Sequence, residues 1–261
     1  MEVKSNEYTT KAYWEDYYRQ SAVNQKQIEQ ICGRYDAFWD QLVASCHHAP
    51  QSIIEIGAYP GRYIAYLAAR YGLEATALDY NSDRSKIEEA FEVMKVKRYE
   101  IIQADFLKYE PTHQYDLVIS NGFIEHFENY DEVLDRHYSF LAPGGAILVM
   151  IPNKRYLRKW YGWLVDYSNL RAHNLKCMKL GTFKNFAKRS QLDLVYLDYY
   201  GGFPYRVHQK LNQVQTIIYA TFRNISLLIN PWIQKKPNRF LSSSMIAIFR
   251  KSTEYMTKNG E

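Results

Sequence analysis

The chain has 261 residues, of which 47% are hydrophobic and 16% aromatic, and 33 Lys+Arg against 28 Asp+Glu leave a net charge of +5. That length buries a sizeable core, and that apolar content excludes an intrinsically disordered chain. Cys32, Cys46 and Cys177 stand far apart without a CxxC pair, which argues against a disulfide framework and against a metal site, and for a reducing, cytoplasmic compartment.

The first residues, MEVKSNEYTT, are polar and give no signal-peptide pattern, and no stretch reaches the roughly 18 apolar residues of a membrane span. Tyr13, Trp14, Tyr17, Ile28, Ile31, Tyr35, Phe38 and Leu42 recur at three- and four-residue steps, which predicts mostly helix over 8–45 until Pro50 breaks it. Residues 1–49 then form either a lid over a site or one helix face packed on the core. His47-His48 has no partner ligands nearby and reads as a loop. Strands are predicted at 52–56, 75–78, 99–103, 115–120 and 146–151. Between them lie helices at 62–71, 83–96 and 130–140, the second capped by Asn81 or Ser82. "APGG" at 142–145 reads as a turn. Short apolar strands alternating with helices predict a parallel sheet covered on both faces.

Beyond residue 151 the rhythm changes. A basic, aromatic insertion covers 152–181, and a core helix and strand follow within 182–200. A second insertion with a helical middle covers 201–240, and a final strand and tail fill 241–261. Charge is divided along the same line. Residues 1–151 carry 14 Lys+Arg against 23 Asp+Glu, a balance of −9, while 152–261 carry 19 against 5, a balance of +14. The second balance fits, in order, a phosphorylated or carboxylated small molecule, an acidic carrier protein, an anionic membrane surface, or RNA. Nucleic acid ranks last because the bases are mixed with long apolar runs and no RNA-binding module is recognisable.

The segment SIIEIGAYPGRYIAYLAARYG, 52–72, runs strand, glycine turn, helix. Glycines let backbone come close to a ligand, and a helix start offers unpaired N–H groups. Asp79 ends the next strand, 22 residues after Gly57, where an acid can bind both hydroxyls of a ribose. The turn lacks the GxGxxG of a nicotinamide site. Glu55, two residues before the first glycine, is badly placed against a pyrophosphate and well placed against a cationic amino group. That favours S-adenosylmethionine (SAM), which carries an amino group and no phosphate.

With these residues the chain resembles the class I SAM-dependent methyltransferases, especially the small-molecule branch near the ubiquinone-biosynthesis type. The resemblance covers 50–151 well and 182–251 loosely. Glu55-Ile-Gly57-Ala-Tyr59-Pro-Gly61 matches the family's glycine turn, Ala77-Leu-Asp79 its ribose acid, with Tyr80 beside it, and Gln103-Ala-Asp105-Phe106 its adenine segment. Tyr115 to Gly122 matches its fourth strand and Leu141 to Gly145 the turn before the fifth. The resemblance implies an α/β, Rossmann-like sheet of seven strands, mostly parallel with the last antiparallel, carrying α-helical cap insertions. It implies SAM held by Glu55, Gly57, Tyr59, Gly61, Asp79, Tyr80, Asp105, Phe106 and Asn121. Tyr59 stands where the family usually has glycine, and its side chain either lies over the ligand or points to solvent.

Methyl transfer from a sulfonium needs alignment, exclusion of water and, for some acceptors, removal of a proton. Glu125 and His126 are the adjacent acid and base beside the cofactor segments, and His126 has the resting pKa of a base near neutrality. His126 alternatively orders its loop or contacts the methionine part of the cofactor. Tyr13 and Trp14 from the lid, and Arg155, Tyr156 and Trp160 from the basic insertion, are the candidate substrate-binding residues; the same side chains also suit a packed cap with a solvated basic surface. The function expected is methyl transfer to oxygen or nitrogen of a small acidic or partly apolar acceptor. The rivals are an RNA or protein methyltransferase docking through the basic half, and a methyltransferase-like binding protein without turnover.

Overall fold

The alternating side chains of each strand decide which layer covers each face of the sheet. In the computed structural model, which describes residues 8–10, 13–14 and 23–252, strands β1 (Ser52–Ile56), β2 (Glu74–Asp79), β3 (Tyr99–Gln103), β4 (Tyr115–Asn121), β5 (Leu141–Pro152), β6 (Leu192–Tyr200) and β7 (Ser244–Lys251) form one sheet. Their order is β3-β2-β1-β4-β5-β7-β6. The first five are parallel, and β7 runs antiparallel to both β5 and β6. The predicted seven-stranded Rossmann-like sheet with its antiparallel last strand is therefore present.

Ile53, Ala75, Leu117, Leu148 and Ile248 face one layer, built from α1 (Gln25–Cys32), α2 (Asp36–Ala44), α3 (Arg62–Tyr71) and α4 (Ser85–Val93). Ile54, Leu78, Val118, Val149 and Phe249 face the other, built from α5 (Tyr130–Ser139) and α8 (Leu180–Arg189). Between β5 and α8 lie the short helices α6 (Leu157–Val165) and α7 (Tyr167–Arg171), and α9 (Gln213–Lys235) follows β6. Tyr161 and Val165 of α6 pack with Phe203, Phe222, Ile229 and Ile233 into a separate small core that joins the two inserts.

Several sequence expectations need correction. The N-terminal helical stretch divides into α1, a short 3₁₀ turn at Gly33–Tyr35 and α2; Tyr17 lies outside the described residues. The helix predicted from 83 starts at Ser85 because Asn81 and Asp83 spend their side chains on local turns: Asn81 accepts from Asp83 N (3.0 Å) and Asp83 from Ser85 N (2.9 Å). The turn at 142–145 lies inside β5, where Tyr115 pairs with Leu141 but Leu117 with Ala146, a bulge that absorbs the extra residues. His48 Nε2 donates to Asp116 Oδ1 (2.8 Å), and Asp116 also accepts from Gln51 N and Ser52 N, pinning the start of β1 to β4.

Candidate functional site

Parallel strands end at one edge of the sheet, and polar residues at those ends converge on the crevice beyond them. Asp79 ends β2, Asn121 ends β4, and Asp105 follows β3. With Gly57, Tyr59, Tyr80, Phe106, Phe123 and His126 they line one cavity, which holds about 950 Å³ of atom-free space, part of it open to solvent. A second cavity of about 730 Å³, lined by Glu55, Arg62, Tyr35, Tyr63 and Ser244 among others, shares Gly57, Tyr59, Asn121 and Gly122 with the first.

Glu55 shows why an acid belongs two residues before the turn. Its Oε2 accepts from Ile64 N (3.0 Å) in the first turn of α3, and its Oε1 accepts from Asn121 Nδ2 (3.0 Å). The carboxylate thus satisfies a helix-start N–H and sits at the positive end of the helix dipole. Burial nevertheless raises its pKa to about 8. Asn121 Oδ1 is buried and has no hydrogen-bond partner among the described residues. A buried carboxylate beside an open amide oxygen suits a cationic amine, whose charge would lower the carboxyl pKa and whose N–H groups would fill both acceptors.

Asp79 Oδ2 accepts from Tyr59 N (2.9 Å) and Oδ1 from Asn81 N (2.7 Å), so the acid also braces the glycine turn. Tyr59 is buried, and its hydroxyl donates to Asp83 Oδ2 (3.2 Å); the solvent-pointing reading of this side chain is overturned. Asp105 accepts from Leu107 N (3.0 Å) and pairs with Lys108 (3.2 Å). Phe106 is fixed by an edge contact with Phe123 (5.4 Å, 90°) and by Arg136 Nε, which donates to its carbonyl (2.6 Å).

Both glycines make room for packing, and Gly57 also lines both cavities. A Cβ on Gly57 would meet Phe123 Cδ2 at 2.4 Å, and one on Gly61 would meet Ile87 Cα at 2.9 Å. Gly61 lines neither cavity; its absent side chain lets α3 and α4 touch.

His126 reaches the first cavity; Glu125 lies behind it, outside both. The His126 Nδ1 donates to Ala172 O (2.7 Å), which leaves Nε2 as the unprotonated nitrogen. Burial lowers the ring's pKa to about 4, so it is neutral at pH 7. Trp14 packs edge-on against it (4.7 Å), and Tyr8 N donates to its carbonyl (2.7 Å). Trp14 lines the cavity with Thr9 and Thr10, whereas Tyr13 does not. Glu125 Oε1 is 3.8 Å from His126 Nε2, and the ligand atoms of Glu125, His126 and His173 lie within 4.8 Å of one another. The ammonium of Lys154, which donates to Asn169 Oδ1 (2.7 Å), faces this group and supplies it with positive charge. Desolvation holds Lys154 down to about 7.

Burial also raises Glu125 to about 8 from its ordinary 4.5. Between those values the folded chain binds more protons than the unfolded one, so this group makes stability fall as pH rises from about 4.5 to about 8. Glu125→Gln, isosteric with the protonated acid, is expected to exceed wild type at pH 8 by on the order of a few kcal/mol and to match it below about pH 4.5. Urea midpoints at the two pH values check this; parallel curves would contradict it.

Arg155, Tyr156 and Trp160 line neither cavity. Tyr156 packs on Phe240 (4.9 Å) under the Arg155 and Arg239 guanidiniums, and Trp160 is 68% exposed. The insertion turns these side chains away because its inward face, Tyr161 and Val165, is taken by α9. Sequence reasoning missed Phe123, whose only signal was its place two residues after Asn121. It also missed Arg62, Tyr35 and Tyr63 of the second cavity, and the buried cluster in which Asn169 accepts from Lys154 and donates to Asp166 Oδ2 (2.7 Å).

Over 105 residues the chain is 28% identical to trans-aconitate 2-methyltransferase of Methylobacterium radiotolerans, covering 40% of this chain and 39% of that protein. It is 28% identical over 101 residues to pavine N-methyltransferase of Thalictrum flavum, covering 38% and 28%. The chain thus matches less than half the length of these relatives. A SAM-dependent methyltransferase of Archaeoglobus fulgidus has the same fold, with a TM-score of 0.57 at 19% identity over 91% of this chain and 98% of that one. Coclaurine N-methyltransferase, solved with N-methylheliamine and SAH, gives 0.56 at 15% over 95% and 77%. The family described as "Methyltransferase domain" matches residues 25–197, most of the chain, and to that family the chain belongs.

Proposed function

We propose that this protein transfers a methyl group from SAM to oxygen or nitrogen of a small-molecule acceptor. One observation carries the reading: Glu55 with the open Asn121 Oδ1, then Asp79, then Asp105 with Phe106, follow one another along the ends of β1, β4, β2 and β3 around connected cavities. Those groups would hold, in turn, the amino group, the ribose hydroxyls and the adenine of SAM. When bound, SAM supplies an electrophilic methyl already activated by its sulfonium charge.

The chain's own residues orient, exclude water and accept a proton. Phe106, Phe123 and Phe127 wall the first cavity with apolar rings. Arg62, with Tyr35 and Tyr63, gives the second cavity a cation among aromatic rings, suited to an anionic, partly apolar acceptor. The trans-aconitate relatives act, by name, on a carboxylated molecule and the pavine relative on an amine, which supports an O- or N-acceptor of small size. His126 Nε2 is the candidate base for acceptors that arrive protonated, and a weaker one than a histidine titrating near neutrality while burial holds the ring at about 4. A carboxylate needs no base, so His126→Ala is expected to lower kcat roughly 10²- to 10⁴-fold with amine or hydroxyl acceptors and little with carboxylates. Transfer of labelled methyl from SAM across panels of di- and tricarboxylates, phenols and amines tests both statements. SAM binding without transfer to any of them would sink the small-acceptor reading, and equal losses on both acceptor classes would remove His126 as the base.

A further inference from the structure

The helix α9 has two apolar faces, and the protein uses only one. Ile218, Phe222, Ile229 and Ile233 pack into the cap core. A second stripe, Val214, Ile217, Ile225, Leu228 and Trp232, repeats at three-, four- and seven- to eight-residue steps along a neighbouring face. It stays in solvent: Ile217 is 68% exposed, Leu228 81% and Trp232 57%. Its partner α6 likewise turns Trp160 and Trp163 outward. Solvent-exposed apolar side chains in this number mark an interaction surface rather than scattered surface residues.

Charge says what covers it. From Tyr199 to Ser252 the sequence contains no Asp or Glu, while Arg206, Lys210, Arg223, Lys235, Lys236 and Arg239 fall on or beside α9. All six are exposed, and none forms an ion pair among the described residues. Lys210 precedes the helix, and Lys235, Lys236 and Arg239 close it, so cations flank the stripe at both ends. A second copy seated on this face would bring like charges together without an acid to answer them. A nucleic acid would answer the charges and leave the apolar stripe wet. A bilayer with anionic headgroups answers both: acyl chains take the stripe, headgroups take the cations, and tryptophans sit at the boundary. At 23 residues α9 is about 34 Å long and can lie flat along such a surface. Among the described residues no helix is long and apolar enough to cross a membrane, so the contact is peripheral.

We propose that α9, with the outer face of α6, docks this protein onto an anionic lipid surface. Cosedimentation with phosphatidylcholine vesicles, with and without phosphatidylglycerol, tests it. Wild type is expected to bind the anionic vesicles, to blue-shift its tryptophan emission there, to release in high salt, and to ignore pure phosphatidylcholine. Leu228→Glu with Trp232→Glu, and separately Lys235→Glu with Lys236→Glu, should each weaken binding at least about tenfold, with thermal unfolding and SAM affinity unchanged because these side chains touch neither core nor cavities. Equal binding by wild type and both variants, or no binding, would overturn the proposal. So would a wild-type dimer in light scattering that Leu228→Glu makes monomeric, which would give the face to a second copy.

Discussion

Asp79→Ala is expected to weaken SAM binding roughly 10- to 150-fold, the value of about 1.5–3 kcal/mol for a hydrogen-bonded charge. The carboxylate stands at the end of β2 with one lone pair of each oxygen already given to Tyr59 N and Asn81 N. Those bonds fix its rotamer, and Asp79 lines the first cavity. The variant therefore loses a preorganised acceptor and a brace of the turn together. Asp79→Asn keeps one oxygen acceptor but sets an NH2 against one of the two backbone donors, and is expected to fall between wild type and alanine in affinity. Calorimetric titration measures the affinities, and thermal unfolding of the ligand-free variants registers any loss of the turn. An alanine variant that binds as tightly as wild type would remove Asp79 from the cofactor contact.

Gly61→Ala is expected to destabilise the protein by about 2–5 kcal/mol. The residue has φ +91°, a conformation that costs an L side chain about 1–2 kcal/mol. The added Cβ would also stand 2.9 Å from Ile87 Cα, and backbone cannot step aside as a flexible side chain does. Gly72→Ala is the control, since it has φ +70° but open space around it. It is expected to lose only about 1–2 kcal/mol. Equal losses at the two positions in urea denaturation would mean that the α3–α4 contact is looser than the structure has it.

Much of this arrangement was legible in the sequence because it depends on local chemistry. Apolar runs of four to six residues between turns read as parallel strands, and β1 to β3 lie where those runs predict. Glu55, Asp79 and Asp105 stood out because an acid at a strand end has no core to join. The glycine turn was legible as a turn but not in its purpose: that Gly57 makes room for Phe123 and Gly61 for Ile87 depends on residues tens of positions away. The same limit explains Arg155, Tyr156 and Trp160. Their mixture of cations and rings suits a pocket wall, yet which way α6 faces is decided by α9, about fifty residues later. Glu125 and His126 were legible as an adjacent pair, but only the fold shows that one reaches the cavity while the other is sealed behind it beside Lys154.

Titration calorimetry in two buffers of different ionisation enthalpy decides whether Glu55 and Asn121 receive the amino group of SAM. In the ligand-free protein Glu55 has a pKa of about 8 and is mostly protonated at pH 7. A cationic amine beside it stabilises the carboxylate, so binding should drive its proton into the buffer. SAM and SAH are expected to bind wild type at pH 7 with release of close to one proton, and Glu55→Gln to bind more weakly with release abolished. Failure of wild type to bind either ligand, or binding whose heat is the same in both buffers, would contradict it.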